Sequence, residues 1–489
     1  MKRSSKWIPV VCGAFLTTTM VGCPEPSPPV VRPQRPTTTT DSTEDKPAVK
    51  VEEKAESKPA TPAEPTTKPE LKDSPAEQPT EKKAEPKKEE TVKPDTAAEQ
   101  PIVAAILAKR GEVKKREDGT ASAVVLDATN DDALKLVGQL AGVESLKANG
   151  PDVTNAGLEH LKGLSKLKVL HLVQTAVNDA GMAHLVGLPL EEINLQLSDV
   201  RDDGVGHLAK IPTLKRLLLI KTKVTDAGIA HIKSLANLEK LDLQDVNTVT
   251  TASLPVIAEL KKLKFLRIYG PTFHGPEIAP LGTMKSLRVL SMEQTKVDNS
   301  NVEALAGLTE LKELMLYGTN VSDVGMEKLA GLAKLVKLEL RETAVGAKGM
   351  TYLRNMPELA ALDLSESNAG SSILPQLKEL KKLTDLNLWH CELGDEDIAQ
   401  LADIPTLKKL NLDKTRITNA AMEQVGKLPN LEFLHIGSTE VGDEGLAKLH
   451  GLKNLKELII TFLPNVSDEG VAKLQEAIPA LKQEGAIER

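Results

Sequence analysis

Aromatic residues are scarce in this chain, with two tryptophans, three tyrosines and five phenylalanines among 489 residues. Any interior must be filled by aliphatic side chains, so an aromatic placed on a surface needs a reason. Cysteine occurs at only three places, Cys12, Cys23 and Cys391, which excludes a disulfide framework. There is no basic excess: 62 Lys and Arg against 69 Asp and Glu leave a formal charge of −7. That balance gives no support to nucleic-acid binding, which needs cations to neutralise phosphates. G-x-S-x-G, H-E-x-x-H and Walker-type loops are all absent, so no catalytic residue, metal or cofactor is expected. The apolar run near the N-terminus is too short for an ordinary membrane span.

That run does fit an export signal. MKRSSK supplies a basic start, and WIPVVCGAFLTTTMVGC follows with small residues before a cleavage point. Met20-Val21-Gly22-Cys23 resembles a bacterial lipobox, with Met20 where Leu is more usual. The resemblance implies a lipidated Cys23 at the mature N-terminus, with residues 1–23 as signal and the membrane as a partner through the lipid. Ordinary signal cleavage and an uncleaved anchor are the alternatives. Residues 24–100 are Pro, Thr, Glu, Lys, Ala and Ser, as in ATPAEPTTKPELKDSPAEQPTEKKAEPKKEE. Such a segment buries too little apolar surface to offset chain entropy, so a disordered tether is expected. As a flexible coil it would span about 50 Å root-mean-square.

From about residue 124 one unit recurs. The first leucine of an L-x-L core falls at Leu146, Leu170, Ile193, Leu217, Leu241, Leu266, Leu290, Leu314, Leu338, Leu362, Leu386, Leu410, Leu434 and Leu458. Val124 to Leu126 adds a degenerate first strand, giving about 15 units of ~24 residues. Within LKELMLYGTNVSDVGMEKLAGLAKL, Leu314 and Leu316 alternate with Glu313, Met315 and Tyr317, the period of a strand with one buried face. Val321, Met326, Leu329 and Leu332 then fall at helical spacing, with Ser322 as N-cap and Asp323 in the first turn. A unit this small cannot bury its apolar side alone, so neighbours stack. The fold class is an α/β solenoid with parallel strands on a concave face and short helices on a convex face.

The pattern L-x-x-L-x-L-x-x-T-x-V-T-D-x-G-L-x-x-L resembles the cysteine-containing, ribonuclease-inhibitor-like subclass of leucine-rich repeats, over residues 102 to 489. It is similar to repeat proteins of planctomycete-like bacteria and, more distantly, to F-box substrate receptors, although no F-box-like module precedes the array. The resemblance implies a horseshoe-shaped binding scaffold and no particular ligand. Thr175, Thr222, Thr295, Thr319, Thr343, Thr415 and Thr439, with Ser198, Ser367 and Cys391, share one position. They are expected to form a hydroxyl ladder that bonds loop backbone across units.

Residues 101–123 read as an N-terminal cap, a helix and a hairpin turning at Asp118-Gly119, and residues 124–489 as the repeat domain with its C-terminal cap. Pro271, Pro276 and Pro280, and the segment around Gly370 to Pro375, break the rhythm and are read as drift, with a widened loop shaped for a partner as the alternative. His160, His184, His207 and His231 recur on successive helices too far apart to share one metal ion. Asp179, Asp226, Asp323, Asp443 and Asp468 are read as helix caps. Glu339 and Asp363, with Lys337 and Arg341 nearby, are read as a solvated charge patch.

The outward strand positions are the most informative for function, although aromatics there could also simply pack against neighbouring strand side chains. Phe265, Tyr269, Tyr317, Trp389 and Phe433 fall in concave columns. Tyr269, Tyr317 and Trp389 share one column at about 10 and 14 Å separations. Exposed aromatics on a rigid face are usual anchors of a binding surface, and Arg267, Met315, Arg341, Asn387 and His435 stand among them. The expectation is a non-enzymatic, exported, lipid-anchored cell-envelope scaffold that binds a protein or peptide there. The alternatives are a structural envelope component and an intracellular F-box-like adaptor lacking the F-box.

Overall fold

The computed structural model describes residues 96–367, 370 and 372–489. The expected signal, Cys23 and all but the last five residues of the expected tether lie outside them. Within the described residues seventeen strands form one sheet. Most are only three residues long, such as Glu313–Met315, Lys337–Glu339 and Ala361–Asp363, and they pair in chain order and in parallel. Leu290, Leu314, Leu338, Leu362 and Leu386 stand opposite one another across four successive strand pairs. Each is buried, and a slip of one residue would turn it out to solvent, so burial fixes the register. The return segments are short helices or 3-10 turns. Asp323–Leu329, for example, buries Gly325, Met326 and Leu329 against the strands.

Each end of the sheet is capped by a short strand from outside the repeat. The helix Thr96–Ala108 precedes the strand Glu112–Lys115, which pairs antiparallel with Ala121–Leu126. At the other end the helix Asp468–Ala477 is followed by Ile487–Glu488, which adds in parallel to Glu457–Ile459. The proline-rich break becomes a 3-10 run, Pro276–Thr283. Phe273 is fully buried there, seven residues after Leu266, where the standard unit has Val321 after Leu314.

The threonine ladder does not run between units. Thr319 Oγ1 donates to the carbonyl of Leu316, three residues earlier in its own unit, at 2.7 Å. Thr175, Thr222, Thr295, Thr343, Thr415 and Thr439 do the same, as do Ser198 and Ser367. The residue just before has a left-handed backbone in each. Gln174, Leu197, Lys221, Gln294, Glu342, Glu366 and Lys414 all have φ between +50° and +58°, so the hydroxyl that follows each lies over the end of its own strand. Cys391 differs, with its Sγ reaching Leu364 O of the preceding unit at 3.2 Å. Burial pushes that thiol up to about 12, so it is a small core residue and not a thiolate.

A recurring set of bonds that cross units comes from the helix starts. Asp202 Oδ1 accepts from Thr225 N, and Oδ2 from Thr225 Oγ1, both at 2.7 Å. Asp131 with Thr154, Asp226 with Thr250, Asp395 with Thr418 and Asp443 with Ser467 repeat the arrangement. These carboxylates thus serve the backbone of the next unit as well as lying in the first turn of their own. Ser322, expected to cap its own helix, makes no such bond and accepts from Asn299 Nδ2 at 2.8 Å.

Candidate interaction face

In each unit the residues one before, one after and three after the first core leucine emerge on the side of the sheet away from the helices. Three of the residues expected to form a site come together there. Arg341 Cζ lies 4.6 Å from the ring centre of Tyr317 and 4.8 Å from that of Trp389. Tyr317 belongs to the unit before Arg341, but Trp389 lies two units beyond it. The intervening column position is Ser365, small and buried, so the indole can lean across to the guanidinium. Asp363 holds that serine down, accepting from Ser365 N at 2.9 Å and from its Oγ at 2.5 Å. Lys414 Nζ stands 5.1 Å from the Trp389 ring centre. Cation–π contacts of this kind contribute about 0.5–2 kcal/mol each, more as water is excluded.

Glu366 fixes the guanidinium. Its Oε2 accepts from Arg341 Nε at 3.0 Å and Nη2 at 2.8 Å, and its Oε1 lies 3.4 Å from His390 Nδ1. Burial pushes this carboxyl up, but the Arg341 and His390 side chains outweigh it and hold it below the usual range. Burial also raises the Tyr317 phenol, which therefore stays neutral. The result is a preorganised row of Tyr317, Arg341 and Trp389 with both charges of its ion pair in place.

A second group forms around Phe265. Lys240 Nζ lies 4.2 Å and Arg267 Cζ 5.6 Å from its ring centre. Arg267 Nη1 donates to Gln244 Oε1 at 2.8 Å and lies 3.5 Å from Asp242 Oδ2. Tyr269 pairs in register with Glu293 on the next strand, apart from the Arg341 row. Met315, Asn387 and Phe433 lie on the same side but are more than nine-tenths buried among their neighbours, so they offer little surface to a partner. Asn387 does so by donating to Asp363 Oδ2 at 2.8 Å and accepting from Trp389 N at 3.1 Å. His435 is half-buried beside Asp413, its Nε2 3.9 Å from Oδ2.

The Glu339 and Asp363 pair is not a solvated patch. Glu339 is paired with Lys337 at 2.6 Å, while Asp363 is buried and its carboxyl is raised chiefly by that burial. Burial likewise raises Asp242 and Glu293. Carboxyls that hold their protons more tightly folded than unfolded favour the fold below their ordinary pKa, and lose that contribution as pH rises through the folded value.

Several participants lie outside the columns read from sequence. Glu366, His390 and Lys414 occupy the left-handed position, one residue further along. Phe462 occupies it too, with φ +56°, and at 85% exposure it stands out on the surface. Its neighbours Ile460, Leu463, Pro464 and Arg489 line an open hollow of about 450 Å³. The signal that could have found these residues is a fixed offset of four from each core leucine. His160, His184, His207 and His231 remain on successive helical segments, and no group of three or more metal-ligating side chains converges among the described residues.

Among solved structures, the chain is similar to an internalin (InlF) from Listeria monocytogenes, at 20% identity and a TM-score of 0.49 over 74% of this chain and 94% of that one. It is also similar to the leucine-rich repeat protein LIC12759 of Leptospira interrogans, at 19% identity and a TM-score of 0.47 over 71% and 90%. The mouse RP105/MD-1 complex gives 16% identity and a TM-score of 0.45 over 72% and 64%. No protein of curated function matches the sequence significantly. The family description "leucine-rich repeat region" matches residues 188–427 and 281–482, together more than half of the 489 residues. With the unit-by-unit register of the sheet already described, the chain belongs to the leucine-rich repeat family.

Proposed function

We propose that this chain is a non-enzymatic scaffold that binds a protein or peptide on the exposed face of its sheet, centred on Tyr317, Arg341 and Trp389. Repeat solenoids present extended surfaces of this kind, and proteins of the family commonly mediate protein–protein interaction. The observation that carries the choice of place is the clamped guanidinium. A chain poor in aromatics sets two of them around one arginine on a face with no core to fill. Aromatic and arginine side chains are the usual energetic centres of interfaces, and groups already held in place lose little freedom on binding. The Phe265 and Arg267 pair extends the surface toward the N-terminal units.

The test uses a random peptide library displayed on phage and panned on the full-length chain, with affinities of selected peptides measured by calorimetry. Trp389→Ala should weaken binding about ten- to a hundredfold, which is about 1.4–2.7 kcal/mol. Lys348→Ala, on the helical side, should leave it unchanged. Equal affinity for the wild type and Trp389→Ala would remove this site.

We also infer that the chain is exported and anchored in the cell envelope by lipid on Cys23. The basic start, the short apolar run and Met20-Val21-Gly22-Cys23 support this. The native chain should begin at Cys23, carry added acyl mass and partition with membranes. A soluble chain that retains Met1 would contradict it.

A further inference from the structure

Because the repeat strands are parallel and in register, every residue that precedes a strand lies along one rim of the array, and every residue that follows one lies along the other. The two rims differ in charge. The eight residues before each of the fourteen core leucine positions hold 25 Lys and Arg against 13 Asp and Glu. The stretch from four to ten residues after the same positions holds 7 against 18. A net charge of −7 spread evenly would leave both rims weakly acidic, so composition does not explain the separation. Lys166, Lys210, Lys312 and Lys408 are exposed on the first rim, and Asp152, Asp203, Glu396 and Glu440 on the second. Helix capping explains only part of it. Asp199, Glu392 and Glu440 stand ahead of the helices and not in their first turns, and Lys261, Lys262 and Lys264 lie beyond the end of Leu254–Ile257. Pairs within a rim do not erase the surplus. Glu191 and Glu239 are taken by Lys215 and Lys264 of the next unit at 2.8 and 2.9 Å, and on the acidic rim Arg416 takes Glu392 at 3.0 Å.

We propose that the acidic rim of one copy of this chain docks on the basic rim of a second copy. Charge complementarity carries the choice of partner, since the two rims have surpluses of similar size and opposite sign. A single exposed ion pair contributes little, and at physiological salt charges are screened beyond about 8 Å. Strength must therefore come from many pairs in contact. The repeat supplies them, because both rows advance once per unit with the same spacing in either copy, and a match at one unit continues at the next. The same pattern selects the symmetry. A two-fold axis that sets like rims together is repelled, whereas unlike rims meet only in a heterologous contact. Each docked pair then keeps one free acidic and one free basic rim, so the contact does not close and builds side-by-side rows. The exposed face of the sheet stays open in such a row, and the inference does not depend on what binds there.

The experiment is sedimentation velocity of the full chain carrying Cys23→Ser, so that no lipid drives association. At about 0.01 M salt, where charges act over about 30 Å, the mass should rise with concentration past that of a dimer, and at about 1 M, where they act over about 3 Å, it should return to the monomer. Lys166→Glu, Lys210→Glu, Lys312→Glu and Lys408→Glu are combined in one variant, and Asp152→Lys, Asp203→Lys, Glu396→Lys and Glu440→Lys in another. All eight side chains are exposed, so both variants should keep the wild-type circular dichroism. Each alone should need at least tenfold more protein to associate at low salt. Their equal mixture retains one intact acidic rim and one intact basic rim, so it should form a dimer and stop there. A mass that does not fall between low and high salt, variants that associate as the wild type does, or a mixture that stays monomeric would each overturn the contact. A chain that is monomeric at low salt but binds vesicles of phosphatidylglycerol and phosphatidylcholine, and loses them in the lysine-rim variant, would assign that rim to a lipid surface and overturn it as well.

Discussion

With Leu338 replaced by aspartate, the chain should lose its cooperative unfolding and melt as two blocks. Leu338 is fully buried and stands in register between Leu314 and Leu362, in the middle of the array. Truncation to alanine should cost about 3 kcal/mol for lost burial and the cavity left behind. A carboxylate adds the cost of placing a charge among leucines, which takes the total past about 4–5 kcal/mol. In a compact globule that damage would be shared by the whole domain. In a solenoid each unit touches only its neighbours, so stability is close to a sum of unit and interface contributions. The unit carrying Leu338 should open while units on either side keep their own cores. Calorimetry should then show two transitions, and limited proteolysis should cut first between residues 336 and 360. A single transition at the wild-type temperature would contradict this account. Leu338→Ala should keep one transition at a lowered midpoint.

That contrast also explains which parts of the structure were legible in the sequence. The 24-residue step and the L-x-L core located nearly every strand and its register, because burial of two leucines per unit leaves no alternative pairing. The same step correctly placed Tyr317 and Trp389 in one column. What joins them was hidden. Contact between Trp389 and Arg341 depends on a small Ser365 in the unit they span, and on Glu366, which sits at the left-handed position. That position has no residue signature, since Gln, Leu, Lys, Glu, His, Ser and Phe all occupy it beside a few glycines. The threonine hydroxyls that follow it nevertheless turn back within their own units. The burial of Asp363 was equally invisible, because its environment is built by Ser365 and Asn387 from its own and the next unit.

Gly349→Ala gives the second large effect, and its sign separates two accounts of the glycine in the V-T-D-x-G opening. Gly349 lies in the helix Ala347–Met350, where propensity alone favours alanine over glycine by about 1 kcal/mol. The structure predicts the opposite. An added Cβ would stand 2.6 Å from Asp323 Oδ1, 2.8 Å from Val345 Cγ1 and 3.1 Å from Asp323 Cα. Asp323 cannot simply move away, since its Oδ1 accepts from Gly346 N at 2.6 Å and Gly349 N at 2.9 Å. Relieving the clash breaks the bonds that tie one unit to the next, so Gly349→Ala should destabilise by about 2–3 kcal/mol. Asp323→Ala alone strands two backbone N–H groups and should cost about 1–3 kcal/mol. The double variant should cost less than the sum of the two, by about 1–2 kcal/mol, because the alanine Cβ then meets no carboxylate. Denaturant unfolding of the four chains measures this coupling, and a stabilising Gly349→Ala would dismiss it. Gly204 and Gly228 stand in the same relation to Asp179 and Asp202 of the units before them. The glycine of these openings is therefore selected by the aspartate or asparagine of the preceding unit, not by the helix it begins, and the repeated pattern is a contact between neighbours written one unit late.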